Sequence, residues 1–276
     1  MKKGGAVKRF NQISKDIKSV KIQGAESVAI AGVKAYSLVP TQESARKLLC
    51  LRATEPALAN ALNYAKRTDN CFECVLAHFK ESKAKTNELM YKVVRKGMKV
   101  FTHCHSSRVV DGLVYAKKKG KKVEVFNTET RPLLQGRKTA EQLSRAGIKV
   151  SMSIDSDARE QIKKSDIMMI GADAVLSDGS VVNKVGSEMF AEIAKRDFGK
   201  KVYVVTDAWK FSPRNVKIEE RNFREIWNEH LKYARVKNPA FEKVDAKYIS
   251  AIISELGILT PKQFVRKVKK EYGWIK

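Results

Sequence analysis

The sequence contains little cysteine and no long apolar run, and each scarcity excludes a class of protein. Four cysteines among 276 residues do not make the disulfide framework of a small secreted domain. No apolar run approaches the roughly 18 residues that a membrane-spanning helix needs. The first residues, MKKGGAVKRFNQISKD, lack the apolar centre of a secretory signal. We therefore predict a reduced, cytoplasmic protein with no membrane segment.

Acidic residues are also scarce, because 55 lysines and arginines face only 30 aspartates and glutamates, a net charge of +25. Such a charge favours nucleic acids or anionic small molecules as ligands. The densest basic run, KKKGKK at 117–122, falls between a predicted helix and a predicted strand, where a solvated turn is expected. No RNA-binding aromatic motif accompanies it. We therefore expect a phosphorylated small molecule as partner and do not expect nucleic acid.

The first part of the chain, residues 1–97, has the apolar spacing of helices. Apolar side chains recur at intervals of three and four residues, and Thr41 is the predicted N-cap of one helix. Gly97 is predicted to end the last helix. The predicted helices cover residues 7–21, 25–38, 42–52, 56–67 and about 70–95.

From residue 98 onward, short β-rich runs alternate with amphipathic stretches, and this alternation predicts a parallel sheet covered on both faces. The predicted fold class is α/β, with a helical N-terminal domain (1–97) followed by a Rossmann-like parallel-sheet domain (98–276). The predicted strands are KVFT (99–102), VEVFN (123–127), KVSMSI (149–154), IMMIGA (167–172) and VYVVT (202–206). The predicted helices between them lie at about 106–119, 138–146, 157–164 and 186–196.

An ionisable or reactive side chain follows each of the five predicted strands. In an open parallel sheet, ligands bind beyond the carboxyl ends of the strands. Acidic residues also serve as helix N-caps, but the same pattern after all five strands predicts a site at this edge. No G-x-G-x-x-G follows the first strand, so a dinucleotide is not indicated. The five side chains are Cys104, Glu129, Asp155, Asp173 and Asp207.

Cys104 lies in the segment VFTHCHSSR, directly before the helix predicted to begin near Ser106. Free backbone N–H groups and the helix dipole at that position stabilise a thiolate, which suits a base or a nucleophile. The other interpretation is a small buried cysteine that only packs, and the residues alone leave both open. A zinc site made of His103, Cys104 and His105 is a poor interpretation, because adjacent ligands rarely point to one metal.

Two stretches favour anion binding, and one aspartate favours acid catalysis. Ser106, Ser107 and Arg108 offer hydroxyl groups, helix-start N–H groups and a cation, although ordinary N-capping by serine is compatible with this. Asp173 follows the apolar run IMMIG, where desolvation raises a carboxyl pKa and suits a general acid. After a hairpin turn predicted at Asp178 and Gly179, a second anion-binding corner is predicted; it comprises Asn183, Lys184 and Gly186.

The segment CFEC, residues 71–74, is followed four residues later by His78. A C-x-x-C motif binds zinc or performs redox chemistry in some proteins. Here it lies in a predicted helix, and no second C-x-x-C completes a metal site. We therefore predict that Cys71, Cys74 and His78 share one helix face and contribute to packing.

Five motifs occur in order and together carry a family resemblance that covers about residues 22–260. The chain resembles the family of archaeal ribose-1,5-bisphosphate isomerase and methylthioribose-1-phosphate isomerase, which also contains the non-catalytic alpha, beta and delta subunits of the eukaryotic initiation factor 2 exchange complex. The motifs are THCHS (102–106), ETRPLLQGRKTA (129–140), GADAVLSDGSVVNKVGS (171–187), WKFSP (209–213) and NPAF…ISELGI (238–258).

The resemblance implies a set of site residues without metal or redox cofactor. It implies that Cys104 and Asp173 are catalytic. The family's R-G-A-G segment reads QGAE here, so Gln23 replaces a phosphate-binding arginine and Glu26 replaces a glycine. The substrate-binding residues implied by position are Gln23, Gly24, Ala25, Arg52, Ser106, Ser107, Arg108, Asn183, Lys184 and Lys210.

The resemblance also implies an activity and an assembly. The expected activity is the conversion of ribose 1,5-bisphosphate to ribulose 1,5-bisphosphate in nucleotide (AMP) salvage, by acid–base chemistry of the cysteine and the aspartate. The alternatives are a non-catalytic regulatory homologue of the initiation factor 2B subunits, or an isomerase of another 1-phosphorylated pentose such as methylthioribose 1-phosphate. Family members are oligomers, so a homo-oligomer, a dimer or a hexamer, is expected.

Overall fold

The N-terminal part of the chain is helical, as predicted. The computed structural model describes residues 3–52, 54–229 and 232–276, and this described part begins with five helices. Thr41 caps the third helix, because its hydroxyl accepts a hydrogen bond from Ser44 N at 3.1 Å. The helices are α1 (Lys3–Lys18), α2 (Ala25–Leu38), α3 (Gln42–Leu49), α4 (Pro56–Arg67) and α5 (Phe72–Val93).

The rest of the chain alternates strands and helices. The strands are β1 (Met98–Thr102), β2 (Val123–Thr128), β3 (Lys149–Ser153), β4 (Ile167–Ile170), β5 (Ala174–Leu176), β6 (Val181–Lys184), β7 (Lys201–Val205), β8 (Phe211–Ser212), β9 (Phe241–Val244), β10 (Ala251–Ser254) and β11 (Gly257–Leu259). The helices are α6 (Ser107–Lys118), α7 (Gln135–Arg145), α8 (Ala158–Lys164), α9 (Ser187–Glu192) and α10 (Pro261–Glu271).

Seven of these strands form the main sheet, in the order β11-β10-β7-β4-β1-β2-β3. Every neighbouring pair is parallel except β10 and β11. The central strand β4 (IMMI) is buried on both faces, as expected for a strand covered by helices on both sides. All five predicted strands belong to this sheet, which confirms the predicted α/β class.

A second, four-stranded sheet was not predicted. Its order is β8-β5-β6-β9, and its strands are two to four residues long, too short for an apolar period to reveal. The hairpin predicted at Asp178 and Gly179 is confirmed, since it joins the antiparallel pair β5 and β6. This sheet matters for function because Asp173 immediately precedes β5 and Lys184 ends β6.

One buried apolar cluster connects the N-terminal helices to the sheets. It contains Val28 and Leu58 from the helices together with Phe101, Met168 and Trp209. A second cluster packs α5 and α6 against the other part of the main sheet. The predicted boundary between residues 97 and 98 stays a prediction, while this shared core joins residues from both sides of it. None of the helices in the described part of the chain is long and apolar enough to cross a membrane.

The prediction that the cysteines are all reduced is wrong for one pair. Cys71 and Cys74 form a disulfide with their Cα atoms 5.3 Å apart, while Cys50 and Cys104 are free. The helix was predicted to begin at about residue 70, but α5 begins at Phe72. Cys71 is therefore the N-cap residue, outside the helix, and its side chain turns back towards Cys74.

Candidate active site

A cavity of about 280 Å³ opens beyond the carboxyl ends of the parallel strands. Its wall includes residues that follow β1, β2, β4 and β7, together with the beginning of α2, so it occupies the edge that the sequence predicts. Its volume is just below the range of typical small-molecule sites, which suits a compact metabolite. Eleven of the twelve predicted site residues line it: Gln23, Gly24, Ala25, Arg52, Cys104, Ser106, Ser107, Asp173, Asn183, Lys184 and Lys210.

Cys104 is held in a conformation that few residues other than glycine adopt. Its φ is 65°, in the left-handed region, and strain of this kind concentrates at functional sites. Two hydrogen bonds fix its backbone: Cys104 N donates to Thr130 Oγ1 at 3.0 Å, and Thr139 Oγ1 donates to the Cys104 carbonyl at 2.8 Å. The threonines belong to the segment after β2 and to α7, so two elements position this one residue.

The thiol of Cys104 does not have the lowered pKa that the sequence predicts. Burial raises its pKa to about 11, although Lys184 and the backbone N–H of His105 both favour the thiolate. The expected stabilisation of the thiolate by backbone N–H groups is present at His105, but in the free protein burial outweighs it. Removing the sulfur from water disfavours the charged form more than Lys184 and the N–H of His105 favour it.

The two flanking histidines have different surroundings. His103 is buried; Thr128 Oγ1 lies 2.9 Å from its Nδ1, and its Nε2 donates to the carbonyl of Val185 at 3.0 Å. His105 lines the cavity, and its Nδ1 lies 3.0 Å from Thr139 Oγ1. Because the single hydroxyl proton of Thr139 goes to the Cys104 carbonyl, His105 must donate from Nδ1.

The cavity-facing histidine is therefore a hydrogen-bond acceptor. A donating Nδ1 leaves Nε2 of neutral His105 without a proton, and this atom has no partner within the described residues. Burial, followed by the nearby Lys138, lowers the pKa of His105 to about 4, so the ring is neutral near pH 7. His105 can accept a hydrogen bond from a bound hydroxyl group.

Asp173 has the environment that the sequence predicts. Burial raises the pKa of its carboxyl group, against the opposing influence of Lys210, Lys184 and Arg52. The direction of this shift confirms the prediction made from the apolar run before it. The ammonium group of Lys210 donates to the carbonyl of Ala172 at 2.7 Å, next to Asp173 in the chain. Asp173 is therefore an acid surrounded by cations.

Arg52 forms a buried ion pair with Glu55, which the sequence analysis missed. Only Nη2 of the guanidinium group is used in that bond. Among the residues that the structure describes, the buried Nε and Nη1 have no hydrogen-bond partner, and the nearest carboxylate oxygen, on Glu219, is 3.8 Å from Nε. Burial raises the pKa of Glu55 to about 7. Buried donors without a partner are costly, so this arginine is suited to a bound anion.

Arg108 is the predicted site residue that does not line the cavity. Its side chain is 1% exposed, and it donates to Glu26 from Nε and to Asp207 from Nη2, each at 2.9 Å. Glu26 lines the cavity, is also 3.5 Å from Lys83, and stands where the family has glycine. The placement of Arg108 in a phosphate site is therefore corrected: the carboxylates of Glu26 and Asp207 hold its guanidinium group in the protein interior.

Three of the five residues predicted after the strands support the site without lining it. Glu129 pairs with Arg137 at 2.8 Å, and Asp155 accepts a hydrogen bond from Thr130 N at 2.9 Å. Asp207 is buried beside Arg108. The parallel sheet brings all five to one edge, but only Cys104 and Asp173 face the cavity.

Further residues line the cavity that the sequence analysis did not assign. Lys138 lies in the motif ETRPLLQGRKTA, which would have been the signal to include it. Arg221 lies in an irregular segment, where no sequence pattern predicts a site residue. Its guanidinium group pairs with Glu219 and Glu225. The unassigned lining residues with polar or large side chains are Ser27, Glu55, His105, Asp111, Leu133, Gln135, Lys138, Gln142, Arg221 and Phe241.

Comparison with known proteins agrees with this fold and shows the family. The family model described as the initiation factor 2 subunit family matches residues 21–261. The chain is 33% identical to the ribose 1,5-bisphosphate isomerase of Methanocaldococcus jannaschii over 94% of both chains. It is also 33% identical to the ribose 1,5-bisphosphate isomerase of Archaeoglobus fulgidus, over 84% of this chain and 80% of that one.

A solved structure shares the whole architecture. The translation initiation factor eIF-2B of Pyrococcus horikoshii OT3 superposes with a TM-score of 0.81 at 26% identity, covering 93% of this chain and 98% of that one. The match therefore includes the N-terminal helices and the sheets that enclose the cavity. The chain belongs to the initiation factor 2 subunit family.

Proposed function

We propose that the protein is an aldose–ketose isomerase that converts ribose 1,5-bisphosphate to ribulose 1,5-bisphosphate. The observation that carries this proposal is a single cavity that contains Cys104, Asp173 and Arg52. The first two supply a base and an acid, and the buried donors of Arg52 require an anion. The relatives named for this substrate support it. A role in nucleotide (AMP) salvage is part of the same proposal.

Two groups of anion-binding features suit two phosphates. Arg52, Lys184 and Lys210 surround Asp173 and form the cationic group, which Asn183 adjoins. The second group is formed by the N-termini of α2 and α6, which adjoin because Glu26 and Arg108 are bonded. Backbone N–H groups at such termini bind phosphate. We assign Gly24, Ala25, Ser106 and Ser107 to this second group, together with the uncharged side chain of Gln23.

The reaction opens the sugar ring and moves protons, with no net oxidation or reduction. Asp173 donates a proton to the ring oxygen as the bond from that oxygen to C1 breaks. The thiolate of Cys104 removes the proton from C2, which leaves a double bond between C1 and C2. The thiol then returns this proton to C1, and Asp173 recovers a proton from the C2 hydroxyl, so that C2 becomes the ketone. Acid and base end in their starting states, as catalysts must.

The pKa shifts suit the proposed role of Asp173 as the acid better than the proposed role of Cys104 as the base. The raised pKa of Asp173 favours the protonated carboxyl group that the first step requires. Because the thiol pKa is about 11, the reactive thiolate is a minor form near neutral pH. Lys184 and the backbone N–H of His105 stabilise this minor form. The proposed reaction therefore depends on a small thiolate population.

Two observations bear on the alternatives. Gln23 lacks the charge of the family arginine, which favours either a regulatory protein or a different 1-phosphorylated pentose such as methylthioribose 1-phosphate. Glu26, the other departure, is paired with Arg108 and Lys83, which offset part of its negative charge, although Arg108 also binds Asp207 and Lys83 also binds Asp111. The presence of both Cys104 and Asp173 in one cavity favours catalysis. A homo-oligomer remains a prediction.

The test is a coupled assay that follows ribulose 1,5-bisphosphate formation from ribose 1,5-bisphosphate. Asp173→Asn keeps the shape and removes the acid, so we expect kcat to fall about a thousandfold with unchanged unfolding temperature. Cys104→Ser is expected to lower kcat by a comparable factor. Methylthioribose 1-phosphate is the matched alternative substrate. A folded wild-type protein that binds these sugar phosphates but isomerises none of them would support the regulatory alternative and contradict the proposal.

A further inference from the structure

The disulfide between Cys71 and Cys74 has no part in the proposed reaction. It links residues three apart in sequence, at the start of α5, and both side chains are half-buried and accessible to solvent. A disulfide that closes so short a loop restricts the unfolded chain least, so its contribution to stability is the smallest that such a bond makes. Its position therefore points to a role other than bracing the fold.

The two sulfur atoms have unequal surroundings. Cys71 is the N-cap of the 22-residue helix α5, and its Sγ accepts a hydrogen bond from Cys74 N at 3.1 Å. The first N–H groups of a helix and the helix dipole stabilise a thiolate at this position. Cys71 is therefore the better leaving group, and an external thiolate attacks Cys74.

His78 lies one helical turn beyond Cys74 in α5 and belongs to a series of contacts that reaches the cavity wall. The His78 ring stacks on Trp209, with ring centroids 3.6 Å apart, and its Nε2 is 3.2 Å from Asp207 Oδ1. Asp207 in turn binds Arg108, and Arg108 binds Glu26 in the cavity wall. Trp209 directly precedes Lys210, a second cavity residue.

We propose that Cys71 and Cys74 form a reversible dithiol–disulfide pair, which exchanges with external thiols and disulfides and whose state changes the order of the first turns of α5. In reduction, an external thiolate bonds to Cys74 Sγ, the bond between the two protein sulfurs breaks, and Cys71 leaves as a thiolate. A second external thiol releases Cys74 and forms an external disulfide. Two electrons pass from the external thiols to the protein, and the reverse sequence oxidises it.

The first experiment counts free thiols by mass. The folded protein is equilibrated in a series of reduced and oxidised glutathione mixtures, then denatured in acid, alkylated and weighed. The oxidised chain carries two adducts, on Cys50 and Cys104, and the reduced chain carries four. We expect the population to convert from two to four adducts within the series, and to convert back when oxidised glutathione is restored.

Two variants serve as controls. Cys71→Ser/Cys74→Ser is expected to carry two adducts in every mixture, and Cys50→Ser to change from one to three at the wild-type ratio. A folded wild-type chain that keeps two adducts in excess dithiothreitol would show a fixed structural bond and overturn the proposal. Four adducts at every glutathione ratio would show that no bond forms and overturn it as well.

The second experiment measures hydrogen exchange of the amides in 72–82 in both redox forms. We expect the reduced protein to exchange faster there, because the cross-link no longer holds the first turn. The double serine variant should match the reduced form and show no response to dithiothreitol. Equal exchange in the two forms would refute the effect on α5. Neither readout depends on isomerase activity, so the outcome is independent of the proposed function.

Discussion

At the scale of single residues, burial acts on the two proposed catalytic groups with opposite consequences. It raises the pKa of Asp173, which favours the protonated form of an acid, and it raises the pKa of Cys104 to about 11, which disfavours the thiolate form of a base. Desolvation penalises whichever form is charged, and for both groups that is the deprotonated form. Burial thus favours the active form of the acid and disfavours the active form of the base.

The thiol pKa leads to a prediction about alkylation. Since the thiolate is the nucleophile, the rate at which iodoacetamide modifies Cys104 should increase about tenfold per pH unit between pH 7 and 10. The rate is measured by mass spectrometry of the Cys104 peptide. A cysteine-containing model peptide, whose thiol has a pKa of about 8.5, should reach its plateau earlier and is the control.

A plateau for Cys104 below pH 8 would contradict this prediction. It would show that the helix N-terminus and Lys184 outweigh burial, as the local sequence suggests. Inorganic phosphate, added as a probe of the cavity, should slow the modification at every pH if it occupies the cavity beside Cys104.

At the scale of secondary structure elements, the junction between β2 and α7 positions Cys104 and closes one side of the cavity. Gly136, in the first turn of α7, lies so close to the end of β2 that a Cβ atom would come within 1.8 Å of the Thr128 carbonyl oxygen. The same turn is tied to β2 by the bond from Asn127 Nδ2 to the Gly136 carbonyl at 2.8 Å. Thr139 and Lys138 follow within the same helix.

We predict that Gly136→Ala is destabilising because backbone atoms must move to make room. The free energy of unfolding should fall by about 2 kcal/mol or more, measured by urea denaturation. Under the proposed function, the displaced α7 should also raise KM for ribose 1,5-bisphosphate. Gly4→Ala, in α1 with nothing within 4 Å of the new methyl group, is the matched control.

The control is expected to be neutral or slightly stabilising, by up to about 1 kcal/mol, because alanine favours helix. Gly136→Ala with wild-type stability would show that α7 can move away from β2 at little cost. The close packing of this junction would then not explain the presence of glycine.

At the scale of the whole molecule, buried carboxyl groups make stability depend on pH. Burial raises the pKa of Glu55 from 4.5 to about 7, so the folded chain holds this proton more tightly than the unfolded chain. The resulting stability is complete below about pH 4.5 and is lost as pH rises through 7. For Glu55 the loss corresponds to about 3 kcal/mol. Glu255, whose pKa is also raised by burial to about 7, acts in the same direction.

We predict that raising the pH from 5 to 8 lowers the free energy of unfolding of Glu55→Gln by about 3 kcal/mol less than that of the wild-type protein. His103 and His105, whose pKa values burial lowers to about 4, contribute the opposite slope in both proteins and cancel in this comparison. Urea denaturation at each pH measures both slopes. Comparing slopes instead of absolute stabilities removes the effect of leaving Arg52 without its partner. Parallel slopes for the two proteins would refute the raised pKa of Glu55.

Several features could be predicted from the sequence because they depend on neighbours along the chain. Short β-rich runs that alternate with amphipathic stretches indicated the five parallel strands. The residues that follow β1 and β4 are therefore expected at the same edge of the sheet. The apolar run before Asp173 was sufficient to predict the direction of its pKa shift. Helix-start residues such as Ser106 and Ser107 face the cavity because the strand before them ends there.

The tertiary structure alone decided features that depend on partners distant in sequence. Arg108 is drawn into the interior by Glu26 and Asp207, which are 82 and 99 residues away, so its cation is not available where the local motif suggests. Cys104 keeps its proton because the surrounding elements remove most of the water around its thiol, although the residue still faces the cavity. The second sheet, and with it the placement of Lys184, forms from strands too short to show a pattern. Local periodicity determines which segments become helix or strand, whereas charge pairing and desolvation are settled only when those segments pack together.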